Sequence, residues 1–447
     1  MKKLLIRNAN LVNEGSVREA DVLIEGERII KIQSSIKVDN SVCQIDAGGQ
    51  FLIPGMIDDQ DHFREPGLTH KADLATESTA AVAGGITSFM EMPNVNPQTT
   101  NKDALQNKYK LAEGRCRANF SFYMGATNTN IEDIKSLEIN DACGIKAFLG
   151  ASTGDLLVDD PEALELLFQH APIMVVTHCE DSPLIWKNEK EAKDKYGKEI
   201  PMTQHPYIRS HEACYKSSSA TVALAKKYDA LLHVLHLTTA KELDLFSDQH
   251  RSKKRITAEV CVHHLWFDEG SYDDKGTLIK CNPSIKKKDD RKALIKALND
   301  GKLDVIATDH APHTLDEKSA NYLEAPAGMP LVQHALQILF DLAHRGEISH
   351  ELIVDRACHA PADLFGVKDR GYLREGYYAD MVIVNTKKPY TVSRENILYK
   401  CKWSPFEGHT FSSSIQTTIV NGNIVFNNGL LTDSIPGKKL SFNRSRF

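Results

Sequence analysis

Several things are missing from this 447-residue sequence, and each absence closes off a class of protein. No apolar run approaches the roughly 20 residues that cross a bilayer. The opening MKKLLIRNAN meets Arg7 before a signal-peptide core could form, so the expectation is a cytoplasmic protein with no membrane partner. Paired cysteines are absent: all nine stand singly, without a C-x-x-C, the pattern of reduced thiols and not of disulfides or a zinc ribbon. Positive charge is not in excess either. Lys and Arg number 54 against 60 Asp and Glu, a net −6, which argues against a nucleic-acid partner. The densest basic cluster, Lys286 to Lys288 near Arg291, reads as a solvated helix start. No Gly-rich phosphate fingerprint follows the first buried strand, against a dinucleotide-binding doubly wound sheet.

What is present divides the chain in two. Both ends are β-rich. Leu4–Ile6, Ala20–Glu25 and Ile29–Ile32 come early; Ala379–Val384, Ile415–Val420, an Asn421-Gly422 turn and Ile424–Phe426 come late. Asn-Gly between two such runs is a strong hairpin signal. The middle alternates apolar runs with helix-like sequence, the βα rhythm of a parallel sheet. Eight runs end near His62, Asn94, Ala126, Leu149, His178, His236, His263 and Asp309, and eight closes a (β/α)8 barrel. The predicted architecture is therefore α/β, a (β/α)8 TIM barrel over residues 57–370 with a small β-sandwich domain built from both termini, 1–56 and 371–447. The stretch Ser182 to Lys227 is long enough for an extra helix or lid, and Ala311 to Pro330 has the composition of a mobile loop over a site.

Ligand-type residues fall at the strand ends. The first run turns polar at Asp58-Asp59-Gln60-Asp61-His62 before Arg64 and a Glu-Pro-Gly turn. Strand alternation predicts Asp58, Gln60, His62 and Arg64 on one face and Asp59 and Asp61 on the other. Lys146 lies on the fourth run, and His178, His236 and Asp309 end the fifth, sixth and eighth. Barrel active sites are built at the carboxyl ends of the strands. Three imidazoles and a carboxylate are a zinc-type donor set. An ammonium repels a metal, but a buried lysine sheds its proton more readily, and a neutral amine can add carbon dioxide to give an anionic carbamate. The plainer reading of Lys146 is an ion pair with Asp309.

Asp58-x-Gln60-x-His62, the lysine of G-I-K-A-F, T-H-C-E-D, H-L-T-T-A and A-T-D-H-A-P-H together resemble the cyclic amidohydrolases. His62-Phe63-Arg64-Glu65-Pro66-Gly67 with Met92-Pro93-Asn94-Val95-Asn96-Pro97 is similar to the dihydroorotases of long bacterial type, a resemblance that spans nearly the whole chain. It implies one or two zinc ions on His62, an N-carboxylated Lys146, His178, His236 and Asp309, with Asp309 also the base. It implies that His62, Arg64, Asn94, Asn282, His313 and the backbone at Ala327-Gly328 hold the substrate, and that the protein is a homodimer. The implied activity is reversible hydrolysis of dihydroorotate to N-carbamoyl-L-aspartate in pyrimidine biosynthesis. Alternatives are a related hydantoinase, dihydropyrimidinase or allantoinase, or an impaired scaffold.

Two residues depart from the family pattern. Gln60 stands where a first histidine is usual, and Asp61 where an apolar residue is usual. The expectation is one tight metal site (Lys146, His178, His236), a weaker one (Gln60, His62, Asp309), and a partner for Asp61 among the outer helices. His263 and His264 are expected to support ligands without binding metal, and His233 to face away from His236. Neither Cys179 nor Cys261 has a base arranged to make it a nucleophile.

Overall fold

The computed structural model describes residues 2–150 and 156–444. Five strands open the chain: β1 (Lys3–Asn13), β2 (Ser16–Glu25), β3 (Arg28–Gln33), β4 (Cys43–Asp46) and β5 (Phe51–Pro54). The barrel follows with β6 (Met56–Asp61), β7 (Ile86–Glu91), β8 (Asn119–Phe122), β9 (Met124–Gly125), β10 (Ile145–Phe148), β11 (Val175–His178), β12 (Leu232–Val234), β13 (Ile256–Cys261) and β14 (Val305–Ala307). Then come β15 (Met381–Asn385), a small pair β16 (Tyr390–Thr391) and β17 (Thr410–Phe411), and β18 (Ser414–Val420), β19 (Asn423–Asn427) and β20 (Leu430–Leu431).

The two ends of the chain share one nine-stranded sheet, in which β5 pairs antiparallel with β15. Its apolar face gathers residues from both, among them Ile6, Val22, Leu52, Met381 and Ile419. This is the small β-sandwich built from both termini. The β18–β19 hairpin turns at Asn421 and Gly422, both at positive φ (48° and 72°), which the Asn-Gly pair tolerates best.

Barrel strands β6 to β8 are parallel, as are β9 to β14. The third barrel strand is split into β8 and β9 by Tyr123, and the barrel closes where His62 N–H donates to His310 O at 2.7 Å. The strands alternate: Val175, Leu232, Val234, Ala258 and Ile306 pack outward into the large core shared with the helices, while Ile57, Met90, Tyr123, Val176 and Val305 form a second cluster. The helices follow the usual end signals. Leu74–Ala83 starts on an Asp73 capping box, and Lys288–Asp300 lays Leu294, Ile295 and Leu298 on the barrel and stops at Gly301, φ +86°.

The segment after β11 carries the additional helix expected: Ser182–Tyr196, His205–Ile208 and His211–Lys227 fill it. Lys286 is not solvated. It is buried, and its ammonium donates to Ser284 O and Oγ at 3.1 and 2.8 Å. Among the described residues no helix is long and apolar enough to cross a membrane.

Candidate active site

The mouth of the barrel holds a small polar cavity of about 100 Å³. Gln60, His62, Arg64, Asn94, Lys146, His178, His236, Asn282, Asp309, Ala327 and Gly328 all line it, joined by Phe148 and Ala311. Of the ligand and substrate-binding residues assigned from the sequence, His313 alone is not in that wall.

The first strand does not alternate as expected. Its pairing with β7 slips between Asp58 and Asp61, and such a slip turns a strand's side chains out of register. Asp58 and Asp61 come to one side together: Asp58 accepts from Thr308 N–H at 3.0 Å, and Thr308 Oγ1 reaches Asp61 Oδ1 at 3.4 Å. Asp61 thus finds its partner at the end of β14 and not among the outer helices. Asp59 points inward to His233. Gln60 and His62 are delivered to the cavity.

On this side of the mouth, His62 Nδ1 meets Asn94 Oδ1 at 2.7 Å and Nε2 meets Asp309 Oδ1 at 3.1 Å. Gln60 Nε2 donates to the same Asp309 oxygen at 3.1 Å. Burial pushes the Asp309 carboxyl up, but the His62 hydrogen bond and the nearby His62, His263 and Lys146 outweigh it and hold the group below its ordinary value. Across the cavity, His178 Nδ1 and His236 Nε2 face each other at 2.9 Å. Glu180 Oε2 takes His178 Nε2 at 2.9 Å and is itself held by Arg209. His236 Nδ1 is buried without a hydrogen-bond partner.

Those outer partners orient the rings. With Glu180 accepting from His178 Nε2–H, that imidazole presents its Nδ1 lone pair to the cavity, as metal-binding histidines do, while the His62 ring is held between Asn94 and Asp309. Lys146, 1% exposed, makes no ion pair with Asp309, whose carboxylate is met by His62 and Gln60. Burial brings the Lys146 amine down to about 8, so a neutral form is accessible near neutral pH. The donor set fits a zinc-type ion.

Arg64 sits at φ +69°, its Nε donating to Pro312 O at 3.2 Å. Burial lowers it to about 10, so it stays charged. His313 lies behind it. Lys71 Nζ donates to His313 Nδ1 at 3.0 Å, and His313 Nε2 then donates to Ala327 O at 3.0 Å. Arg64 Nη2, 3.1 Å from that same Nε2, finds no lone pair there and is left for a ligand. Asn282 Oδ1 is likewise buried without a partner. The loop over the site contains a short helix, Leu315–Lys318, and is pinned from beneath: Lys318 Nζ donates to Lys280 O, Pro326 O and Gly328 O at 3.2, 2.9 and 2.8 Å.

His236 and Asp309 both take positive φ, 38° and 49°, a conformation that costs a non-glycine residue energy and is common at functional sites. For His236 this also corrects the expectation about His233. Strand β12 ends at Val234, alternation stops there, and both histidines meet Glu259: His236 through its N–H at 3.1 Å, His233 through Nε2 at 3.3 Å. Sequence reasoning assigned no role to Glu180 or Glu259. Glu180 follows His178 by two, the spacing of one strand face, and Glu259 is the lone acid in the buried run I-T-A-E-V-C; both signals were readable. Neither ring nitrogen of His263 has a hydrogen-bond partner, and His264 Nε2 is 3.2 Å from Pro283 O. Cys179 points to Thr177 and Thr221.

Residues 51–425 match the profile described as the amidohydrolase family. The chain belongs to that family. A Halobacterium salinarum protein named dihydroorotase is 33% identical over 91% of this chain and 92% of its own length. An allantoinase of Salmonella choleraesuis is 27% identical over 95% of each. Among solved structures, the L-hydantoinase (dihydropyrimidinase) of Arthrobacter aurescens superposes with a TM-score of 0.93 at 25% identity, covering 99% of this chain and all of its own. This amidohydrolase is accordingly a hydrolase of cyclic amides, with candidate metal-ligand groups of its own. Among the described residues, triads of His, Cys, Asp or Glu whose ligand atoms lie within 4.8 Å of one another are Cys261–His263–His264 and Asp59–His233–Glu259. The mouth of the amidohydrolase barrel instead brings its donors together in two facing pairs.

Proposed function

We propose that this amidohydrolase is a dihydroorotase, opening the ring of (S)-dihydroorotate to N-carbamoyl-L-aspartate, reversibly, in pyrimidine biosynthesis. The observation that carries the reading is Arg64: a buried guanidinium in the cavity wall with an N–H left unmatched by its neighbours. A planar cationic fork is what an exocyclic carboxylate requires, and the neutral rings of hydantoins, dihydropyrimidines and allantoin carry none. The barrel (57–370) does the chemistry, and the sandwich (1–56, 371–447) frames it.

In this reading His178, His236 and an N-carboxylated Lys146 hold one zinc ion, and His62, Asp309 and Gln60 a weaker second. Zinc supplies, when bound, polarisation of the ring carbonyl and a water acidic enough to attack it. The protein's own groups do the rest. Arg64 binds the substrate carboxylate, with Asn282 and the backbone at Ala327-Gly328 completing its outline. His313 fixes the Ala327 carbonyl and so the shape of that wall. Asn94 holds His62 in its tautomer. Asp309, kept ionised, takes the proton from the attacking water and returns it to the ring nitrogen as the C–N bond breaks.

The test is a direct assay of carbamoyl aspartate formation by zinc-loaded protein, beside hydantoin, dihydrouracil and allantoin. Turnover of a neutral ring in preference to dihydroorotate would overturn the assignment.

A further inference from the structure

Beneath the mouth, the barrel lumen holds another set of ligand-type groups that the proposed reaction does not use. Asp59 on β6, His233 on β12 and Glu259 on β13 are each 0% exposed. His233 Nε2 lies 3.3 Å from Glu259 Oε2 and 3.5 Å from Asp59 Oδ2. Around a tetrahedral zinc with bonds of roughly 2.0–2.2 Å, neighbouring donors are roughly 3.3–3.6 Å apart. These are the separations of ligands that share one ion.

The hydrogen bonds around the triad point the same way. His233 Nδ1 is 2.8 Å from Thr257 Oγ1, whose own hydrogen is directed to Leu232 O at 3.3 Å. Thr257 therefore accepts from Nδ1–H, and the lone pair on Nε2 faces the two carboxylates. Glu259 Oε1 is engaged by His236 N–H, while neither oxygen of Asp59 has any hydrogen-bond partner. Burial pushes both carboxyls up, and a proton shared between Asp59 and Glu259 is what a cation bound there would displace. Two buried carboxylates facing an imidazole lone pair are costly unless a proton or a metal cation sits among them.

We propose that Asp59, His233 and Glu259 bind a divalent transition-metal ion of the zinc class in the barrel lumen, separate from the mouth. The two carboxylates and one imidazole are hard-to-borderline donors suited to such an ion. It is sealed from solvent and has no route to substrate, so its role is structural. It ties three strands together and fixes Glu259, whose other oxygen holds His236 at its positive φ. The inference stands whichever cyclic amide the mouth turns over.

The experiment uses the full chain, expressed with zinc in the medium and crystallised without added metal. Anomalous difference maps collected above and below the zinc edge should show a peak among these three side chains. Asp59→Asn and His233→Gln should each lower the bound zinc by one equivalent, while Arg64→Met, which touches only the mouth, should leave the metal count unchanged. An absence of lumen density in the wild-type maps would overturn the proposal even if the variants failed to fold. So would an NMR spectrum showing both nitrogens of His233 protonated, since the cation would then be the imidazolium itself. Failure of the dihydroorotate assay with the lumen peak present would remove only the substrate assignment.

Discussion

On one side of the mouth His178 and His236 face each other at 2.9 Å, with Glu180 behind the first ring and Glu259 gripping the backbone of the second. On the other, His62 and Gln60 both lean on a single oxygen of Asp309. The imidazole pair is acceptor-rich and braced from outside, as a preformed metal site should be. The opposite pair is already satisfied: the amide of Gln60 presents a donor where a histidine would present a lone pair. To offer its oxygen it must turn over, giving up the bond to Asp309 and the 3.7 Å contact of its Oε1 with Cys261 Sγ. In the proposed reading, Gln60 thus divides the mouth into a metal-holding side and a proton-handling side.

The largest effect tests that division directly. Asp309→Asn keeps the size but loses the base, and kcat should fall roughly 10²–10⁴-fold in protein matched for metal content. A rate within tenfold of wild type would mean the proton goes elsewhere. Next is Arg64→Met, which removes the partner of the substrate carboxylate. It should cost about 2–5 kcal/mol in kcat/KM for dihydroorotate without slowing any neutral ring the enzyme accepts. Third, Glu180→Gln should weaken zinc binding by roughly 10–100-fold, and Asn94→Ala by less; equilibrium competition with a chelator would read both. The reverse order would invert the ranking of the two sides. Gln60→His should tighten the second metal by about tenfold, or about 1.4 kcal/mol, seen as a further equivalent surviving dialysis.

The last expected effect is on stability. Lys146 has its amine lowered from 10.5 to about 8 in the fold. Between those values the unfolded chain keeps a proton that the folded one has lost, so this group makes the metal-free protein more stable as pH rises. One proton contributes at most about 1.4 kcal/mol per pH unit. The urea midpoint of metal-free Lys146→Met should lack that contribution between pH 8 and 10.

Much of this was legible in the chain. Eight apolar runs and two β-rich ends are patterns of period and composition, which survive any detail of packing. Ligand-type residues at five strand ends were equally plain, because a strand that stays apolar until its last residue has few other reasons to end in His or Asp. What failed was extrapolation of strand geometry past the place where the strand stops being regular. The slip in β6 redistributed Asp58, Asp59 and Asp61, and the early end of β12 brought His233 and His236 to the same acid. Neither irregularity is written in residue type. The contacts of His313 were not legible for a different reason: they run to Arg64 and Lys71, which are distant in sequence.

The pairing of β5 with β15 joins residues 51–54 to residues 381–385, and Lys438 O and Leu440 N–H bracket Phe120 on β8. During translation the earliest strands must therefore wait, with one edge of β5 unfilled, until residues 381–385 have left the ribosome. Such an edge is open to wrong partners in the interval. Slowing the release of residues 381–440 should lower the yield of correctly assembled protein far more than slowing the release of the barrel's middle strands.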